Sequence, residues 1–323
     1  MHVPLIEHEG LTHMLMNRKK VSHILSVPIL FIGCSGDIET NDTVLPVDTA
    51  TVYTPLVCPV SDIEEELGVL TSPALNEVSG VVHSTNNEGL LWVHNDSGDA
   101  PRIFGIGFDG TLVVTLNLAD TPAGDFEDIA VGELIYVGDV GDNGHVRESV
   151  FVYGVAEPDV ILDNGPYEVE IEVETYELTY PNEPGNVEAM WVDPTTDDIY
   201  LLTKVLNTPA EVYLKAAPHI DGSTTELELV TTLDFSVDPL IGLATGADMS
   251  RDGAMIVVRG YIGSWIWLRE PWESVVEALA KTPCEVSVPI ERQSESIGFH
   301  SDRTGLFSIS EGAGEPVFYI PFE

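Results

Sequence analysis

The chain has 323 residues, 44% of them apolar or aromatic, enough to bury the core of one large domain or two ordinary ones. Its 54 acidic against 13 basic residues leave a formal charge of −41. A surface so acidic repels nucleic acid and anionic lipid and draws in cations, which excludes nucleic acid as a partner and puts divalent cations first.

Residues 1–34 read as a leader. A basic start at Met16-Asn17-Arg18-Lys19-Lys20 runs into the mostly apolar stretch Ile24–Gly33 and then Cys34. That stretch is too short to span a bilayer as a mature helix and has the size of a signal-peptide core. Gly33-Cys34, with Phe31 where leucine is usual, resembles a bacterial lipobox, in which Cys34 is lipidated and becomes the new N-terminus. A plain signal peptide without lipid is the alternative. Because Met16 begins a complete signal, residues 1–15 read as an upstream extension. Residues 35–60, rich in Thr, Asp and Pro, read as a flexible tether. The expectation is an exported protein: an outer-membrane or cell-surface lipoprotein touching the membrane only through its anchor, or a periplasmic or secreted one. Cys58 and Cys284 then remain; in an oxidising compartment they form one bridge from tether to body, or stay as two free thiols.

The body, 61–323, is repetitive. Five segments open with an acid followed by small and apolar residues, at Glu77, Glu127, Glu188, Asp248 and Glu295, 47–61 residues apart. A turn and a second apolar strand follow each: Leu90–Val93, Leu134–Val137, Ile199–Leu202, Ala254–Val258 and Leu306–Ile309. Third strands are expected at Arg102–Phe108, Ser149–Val155, Glu211–Lys215, Ser264–Arg269 and Pro316–Ile320. Fourth strands are expected at Thr111–Leu118, Val169–Tyr180, Leu227–Phe235 and Glu285–Ile290. The fifth segment lacks a fourth strand, and the spare stretch Glu65–Leu70 supplies it. Four strands per repeat of this length predict an all-β, five-bladed β-propeller, a monomer closed by its N-terminal strand. A sixth blade would require further strands within Ala156–Tyr180. One helix is expected, at Trp272–Lys281.

In such a ring the innermost strand of each blade starts where the second strand ends. The leading acids Glu77, Glu127, Asp128, Glu188, Asp248 and Glu295 are therefore expected at one mouth of the channel. The second strands bring Asn95-Asp96, Asp139, Asp142-Asn143, Lys204, Arg259-Gly260-Tyr261 and Glu311 to the same mouth. Carboxylate and amide oxygens suit Ca²⁺, which tolerates irregular loops. The expected metal set is Glu77, Asp96, Glu127, Asp128, Asp139, Asp142, Asn143, Glu188, Asp248 and Glu295. Turn-capping by the Asp and Asn residues is the alternative. Asn95, Asp96, Lys204, Arg259 and Glu311 are the expected ligand contacts, and Lys204, Arg259, Glu188 and Glu295 the catalytic candidates. The two bases either clamp a phosphate or carboxylate or only neutralise neighbouring acids. No HxH, HxxxH or CxxC supports zinc, and there is no GxSxG, P-loop or dinucleotide fingerprint.

Glu77-Val-Ser-Gly, Leu91-Trp-Val-His-Asn-Asp-Ser-Gly-Asp, Phe126-Glu-Asp-Ile-Ala, Val187-Glu-Ala-Met and Glu295-Ser-Ile resemble the blade openings of secreted bacterial phytase-like propellers. The resemblance covers about residues 75–323 as a rhythm and is strongest over 77–143. It implies a calcium-binding propeller more than an enzyme: the calcium-dependent phytases have six blades, and this chain has few bases for a polyphosphate. The favoured expectation is a lipid-anchored propeller whose calcium-binding mouth takes a glycan, a phosphorylated ligand or a surface protein. The alternatives are a metal-assisted phosphoesterase or esterase, or a glycoside hydrolase using carboxylates at the mouth.

Overall fold

The structure, a computed structural model, describes residues 53–162, 165–206, 209–235 and 243–323. The expected signal peptide, the lipidated Cys34, the upstream extension and most of the tether lie outside these residues. The chain enters through β1 (Glu65–Val69) and then builds blade one from β2 (Val78–His83), β3 (Leu90–Asn95), β4 (Arg102–Gly107) and β5 (Leu112–Leu118). Blade two is β6 (Phe126–Val131), β7 (Ile135–Asp139) and β8 (Val150–Val155), followed by β9 (Tyr167–Ile171) and β10 (Glu174–Thr179). Blade three has β11 (Val187–Val192), β12 (Ile199–Thr203), β13 (Ala210–Lys215) and β15 (Glu228–Leu233), with the short β14 (Ser223–Glu226) between the last two along the chain. Blade four has β16 (Ala244–Met249), β17 (Met255–Gly260), β18 (Ser264–Leu268), helix α1 (Val275–Leu279) and β19 (Cys284–Val286). Blade five has β20 (Ser294–Phe299), β21 (Gly305–Ser310) and β22 (Pro316–Pro321), and β1 pairs antiparallel with β22 to complete it. Five blades, closed by the N-terminal strand, agree with the sequence reading.

Innermost strands β2, β6, β11, β16 and β20 are buried along nearly their whole length, because a neighbouring blade covers each face. They therefore read as near-continuous apolar and small runs instead of alternating ones. Strand alternation still decides which neighbour a side chain meets: Leu90 and Trp92 of β3 pack toward blade two, Leu91 and Val93 toward blade five. Each pair of adjacent blades thus encloses its own apolar cluster, five in all. Full burial of a side chain the size of Leu or Phe contributes about 1.5–3 kcal/mol, so these interblade layers hold the ring together.

The outer edges depart from expectation. Val169–Tyr180 is two strands in two blades: β9 runs parallel to β5 of blade one, and β10 pairs antiparallel with β8 of blade two. In the same way β14 runs parallel to β10 of blade two, and only β15 belongs to blade three. An outer edge offers unpaired N–H and C=O groups, and the chain passing between blades fills them. These added strands are largely exposed and polar, as in Tyr-Glu-Val-Glu-Ile of β9, so they carry little apolar signal. The helix is shorter than the expected 272–281; it starts after Ser274, whose side chain accepts from Glu277 N while Glu277 reaches back in a capping box. A disulfide joins Cys58, ahead of β1, to Cys284 at the start of β19.

Candidate functional site

Every innermost strand carries a β-bulge at its second residue. The register slips between Val78 and Gly80, Phe126 and Asp128, Val187 and Ala189, Ala244 and Gly246, and Ser294 and Ser296. The five equivalent bulged residues are Ser79, Glu127, Glu188, Thr245 and Glu295. A bulged residue leaves the ladder and its side chain is re-aimed. The residue after each bulge is small or short (Gly80, Asp128, Ala189, Gly246, Ser296), because the next strand of the ring comes close. A Cβ added at Gly246 would lie 2.3 Å from the Glu295 carbonyl oxygen of the adjacent blade. The two hydroxyl members join neighbouring blades: Ser79 Oγ donates to Glu127 O at 2.9 Å, and Thr245 Oγ1 to Ser294 O at 2.9 Å.

A second tier stands above this ring, made by the residues that follow the second strands: Asp96, Lys204, Tyr261 and Glu311. In blade two the acid comes instead from Asp125, just ahead of β6. Asp96, Glu295 and Glu311 bring oxygens within 4.8 Å of one another, and so do Asp96, Asp125 and Glu127. Asp96 belongs to both clusters. Gly141 borders the second: a Cβ there would fall 2.0 Å from Glu127 Oε1 and 2.4 Å from Asp125 Oδ2, in space that any side chain would fill.

The mouth is strongly negative and, among the described residues, holds one ammonium. Lys204 Nζ lies 2.9 Å from Glu188 Oε2 and 2.9 Å from Tyr261 Oη, and Tyr261 donates to Glu295 Oε1 at 3.0 Å. Burial opposes the charge on Lys204, but Glu188 and Tyr261 outweigh it and hold the amine above its ordinary range. Asn186 Nδ2 donates to the other Glu188 oxygen at 2.8 Å. Crowding shows in the acids. Burial, then the charges of Glu295, Asp125 and Glu188, push Asp96 up to about 6. Burial and the carboxylates of Glu188, Asp96 and Asp125 push Glu127 far above the carboxylate range. Burial and Glu295 do the same to Glu311. Like charges at this distance in a part-buried site raise one another's pKa unless a cation intervenes.

Of the expected metal set, Asp96, Glu127, Glu188 and Glu295 come together here, with Glu311 from the expected ligand contacts. Asp125 and Tyr261 complete the mouth and were not in either set. The others sit elsewhere. Glu77 is exposed two residues before the bulge of blade one. Asp128 and Asp248 lie in the channel wall with their oxygens spent on backbone N–H groups: Asp128 accepts from Ile129, Met190 and Ala247, and Asp248 from Met249 and Phe299. Asp139 pairs with Arg147 at 2.8 Å and accepts from Asp125 N, Asp142 accepts from Arg147 N, and Asn143 Oδ1 from Asn186. Asn95 Nδ2 donates to Asp99 Oδ2 in its own turn and to Ala74 O in the segment ahead of β2. Arg259 does not face the mouth. It is fully buried between blades four and five, 2.8 Å from Glu291 Oε2, and donates to Ser296 O and Pro289 O. Among the ligand and catalytic candidates, Arg259 is thus a structural cation, while Lys204, Glu188 and Glu295 share the mouth.

No protein-family model matches the chain, and no curated protein matches it in sequence. Among solved structures it is similar in fold to an aldose sugar dehydrogenase from Streptomyces coelicolor, determined in its PQQ-bound form. That pair has 12% identity and a TM-score of 0.44 over 83% of this chain and 100% of that one. It is also similar to a gluconolactonase from Xanthomonas campestris, with 12% identity and a TM-score of 0.44 over 83% of this chain and 96% of the other.

Proposed function

We propose that the acidic mouth binds divalent cations, Ca²⁺ above others, and that the protein is an exported propeller whose ion-loaded mouth takes up a ligand or partner surface. The observation that carries this reading is the convergence of Asp96, Asp125, Glu127, Glu188, Glu295 and Glu311 around a single ammonium, with Asp96 shared by two three-carboxylate clusters. Oxygens within 4.8 Å of one another suit a cation of Ca²⁺ size, whose ligands stand about 2.3–2.6 Å from it. The space beside Gly141 and the shortage of local positive charge point the same way. Phosphate or carboxylate groups of a glycan, phosphorylated ligand or surface protein would complete the ion's shell. Export is supported by the disulfide and by the basic-then-apolar leader; lipidation at Cys34 belongs to the same reading, as does the likeness to phytase-like blade openings.

Calcium is expected to raise the melting temperature. At about 100 times its Kd an ion adds about 2.7 kcal/mol, or about 5–10 °C for a domain of this size. The increment is expected to depend on pH with a definite sign. Asp96 keeps its proton up to about pH 6, and Glu127 and Glu311 are raised as well, so protons compete with the ion at low pH. The difference between Tm with Ca²⁺ and with chelator should be small at pH 5 and grow steadily to pH 8. Taking the difference cancels the parallel contribution of His83 and His94, which burial holds neutral down to about pH 4 and which by themselves also make the fold less stable as the pH falls. An increment that is absent at pH 8, or flat with pH, would sink the reading.

Asp96→Asn removes a carboxylate from both clusters and is expected to weaken Ca²⁺ about 100-fold, about 2.7 kcal/mol, by calorimetric titration. Glu77→Gln, at the exposed rim, should stay within about threefold. Equal losses from the two would show diffuse attraction by the acidic surface instead of a site.

A second reading is hydrolysis at the same mouth. It is favoured by the proximity of Glu127, which burial and Glu188 keep protonated, to Glu188, which is ion-paired with Lys204. Aryl phosphates, aryl esters and aryl glycosides tell the readings apart. Turnover lost in Lys204→Ala would establish an enzyme, and none across the panel leaves a binding protein.

A further inference from the structure

The innermost strands run from the acidic mouth to a second opening at the other end of the channel, and the chemistry there is different. A cavity of about 340 Å³ is lined by the ends of these strands and the turns beyond them. That volume lies within the range of small-molecule pockets. Its wall is apolar in Val82, Val131, Met249 and Phe299, and its polar lining includes Arg251, His83 and His300. Three of the described bases stand in no ion pair: Lys215, which meets His219, the exposed Arg292, and Arg251, which alone of the three lines this cavity. Arg102, Arg147, Lys204, Arg259, Arg269, Lys281 and Arg303 each stand against a carboxylate. Arg251 pairs with none among the described residues, although the charges of Glu157 and Asp248 act on it from beyond ion-pair distance. It reaches from blade four past blade five to donate one N–H to the carbonyl of Ser84 in blade one, and its other N–H groups have no acceptor there.

His83 adds an oriented donor. Its Nδ1 accepts from Ser301 N at 2.8 Å, which leaves the ring proton on Nε2. Burial, with His300 and Arg251 nearby, keeps the ring neutral at ordinary pH. The carboxylates in the lining are largely committed. Asp248 accepts from Met249 N and Phe299 N, and Asp197 from Glu133 N at 2.9 Å and the Tyr136 hydroxyl at 2.6 Å. Glu133 is exposed at the rim. These three acids, with Glu157, whose charge also acts on Arg251 and His83, set a limit on the charge of an occupant: one negative charge meets Arg251, and a second would be repelled.

We propose that this far mouth binds a small organic anion with one carboxylate and an apolar body, the carboxylate on Arg251 and the body against Phe299 and Met249. An arginine without a carboxylate partner, beside a neutral donor and an apolar wall, is the usual composition of a monocarboxylate pocket. The site is separate from the acidic mouth and does not require its ions.

Benzoate, acetate and inorganic phosphate serve as probes, titrated calorimetrically into the full chain at neutral pH, with Ca²⁺ and again with chelator. Benzoate is expected to bind most tightly, acetate more weakly for lack of an apolar body, and phosphate weakest, with the same order in chelator. Arg251→Gln should weaken benzoate at least about tenfold, or 1.4 kcal/mol, while Asp96→Asn leaves it unchanged. Should Arg251→Gln not fold, Arg251→Lys retains a cation without the planar fork and is expected to lose about three- to tenfold. The proposal is overturned by no benzoate binding at about 10 mM, by unchanged affinity in a folded Arg251 variant, by phosphate binding as tightly as benzoate, or by binding that vanishes with chelator. The first two remove the pocket, the third its charge limit and the last its independence from the acidic mouth.

Discussion

Glu291→Ala is expected to cost about 3–5 kcal/mol of folding stability while leaving cation binding at the acidic mouth unchanged. Glu291 is the carboxylate partner of Arg259, at 2.8 Å, and both side chains are almost fully shielded from solvent. Arg259 has no route to water, so its removal from ion pairing leaves a guanidinium in the interior with only Ser296 O, Pro289 O and Ser308 Oγ to satisfy it. The pair is itself incomplete: Arg259 Nε and Glu291 Oε1 have no partner among the described residues. A buried pair with unmet donors and acceptors is weakly stabilising as a whole, though breaking it from one side is costly. The double variant Arg259→Met, Glu291→Leu should therefore recover most of the loss. Urea unfolding with an unchanged m-value measures both, and calcium titration on the folded fraction tests the mouth. A Glu291→Ala protein of wild-type stability, or one that loses Ca²⁺, would return Arg259 to the role the sequence suggested.

Arg259 stands apart from its expected place for a reason that applies to every blade. Residues inside a second strand alternate toward the two neighbouring blades; only the residue just past the strand end meets the mouth. Arg259 lies inside β17 (Met255–Gly260), and Tyr261 follows it. Asp96, Lys204 and Glu311 stand at the same place after β3, β12 and β21. The sequence rhythm located the strands well enough to give five blades and the closing strand, because inner strands are apolar on both faces and stand out between polar turns. It did not fix their phase. An acid is an unreliable mark of the repeated position in a chain with 54 of them. The bulged position holds Ser79 and Thr245 in two blades, where a rule based on acids points to Glu77 and Asp248 instead. The better signal was the small or short residue that follows each bulge, which the closeness of the next blade demands. Outer strands β9 and β14 were illegible for the opposite reason: they are exposed on an edge and bury too little to leave a pattern.

Asp128→Ala is expected to be among the most destabilising single changes in the channel, at about 3–5 kcal/mol, and again without effect on Ca²⁺. Asp128 follows the bulge of blade two and is completely buried. Its Oδ1 accepts from Ile129 N at 2.8 Å, and its Oδ2 from Met190 N at 2.8 Å and Ala247 N at 3.0 Å. One side chain thus joins the innermost strands of blades two, three and four. Those N–H groups point into the channel, where the strands of a ring have no inner neighbour to pair with. Truncation to alanine strands the two interblade donors in a dry interior, at about 1–3 kcal/mol each, and removes the acceptor at Ile129. The carboxyl meets backbone N–H groups and pairs with no base among the described residues, so the loss is chiefly one of hydrogen bonds and not of an ion pair. Asp128→Asn preserves one acceptor oxygen, which can still serve Met190 and Ala247, and replaces the other with an NH₂ facing Ile129 N–H. Its cost should be smaller, about 1–2 kcal/mol. Chemical denaturation gives the stabilities, and amide hydrogen exchange at Met190 and Ala247 should quicken in Asp128→Ala and stay near wild type in Asp128→Asn. If Asp128→Ala instead proves stable and loses Ca²⁺ affinity, Asp128 is an ion ligand as its place beside Glu127 first suggested, and the channel is held together by its apolar layers alone.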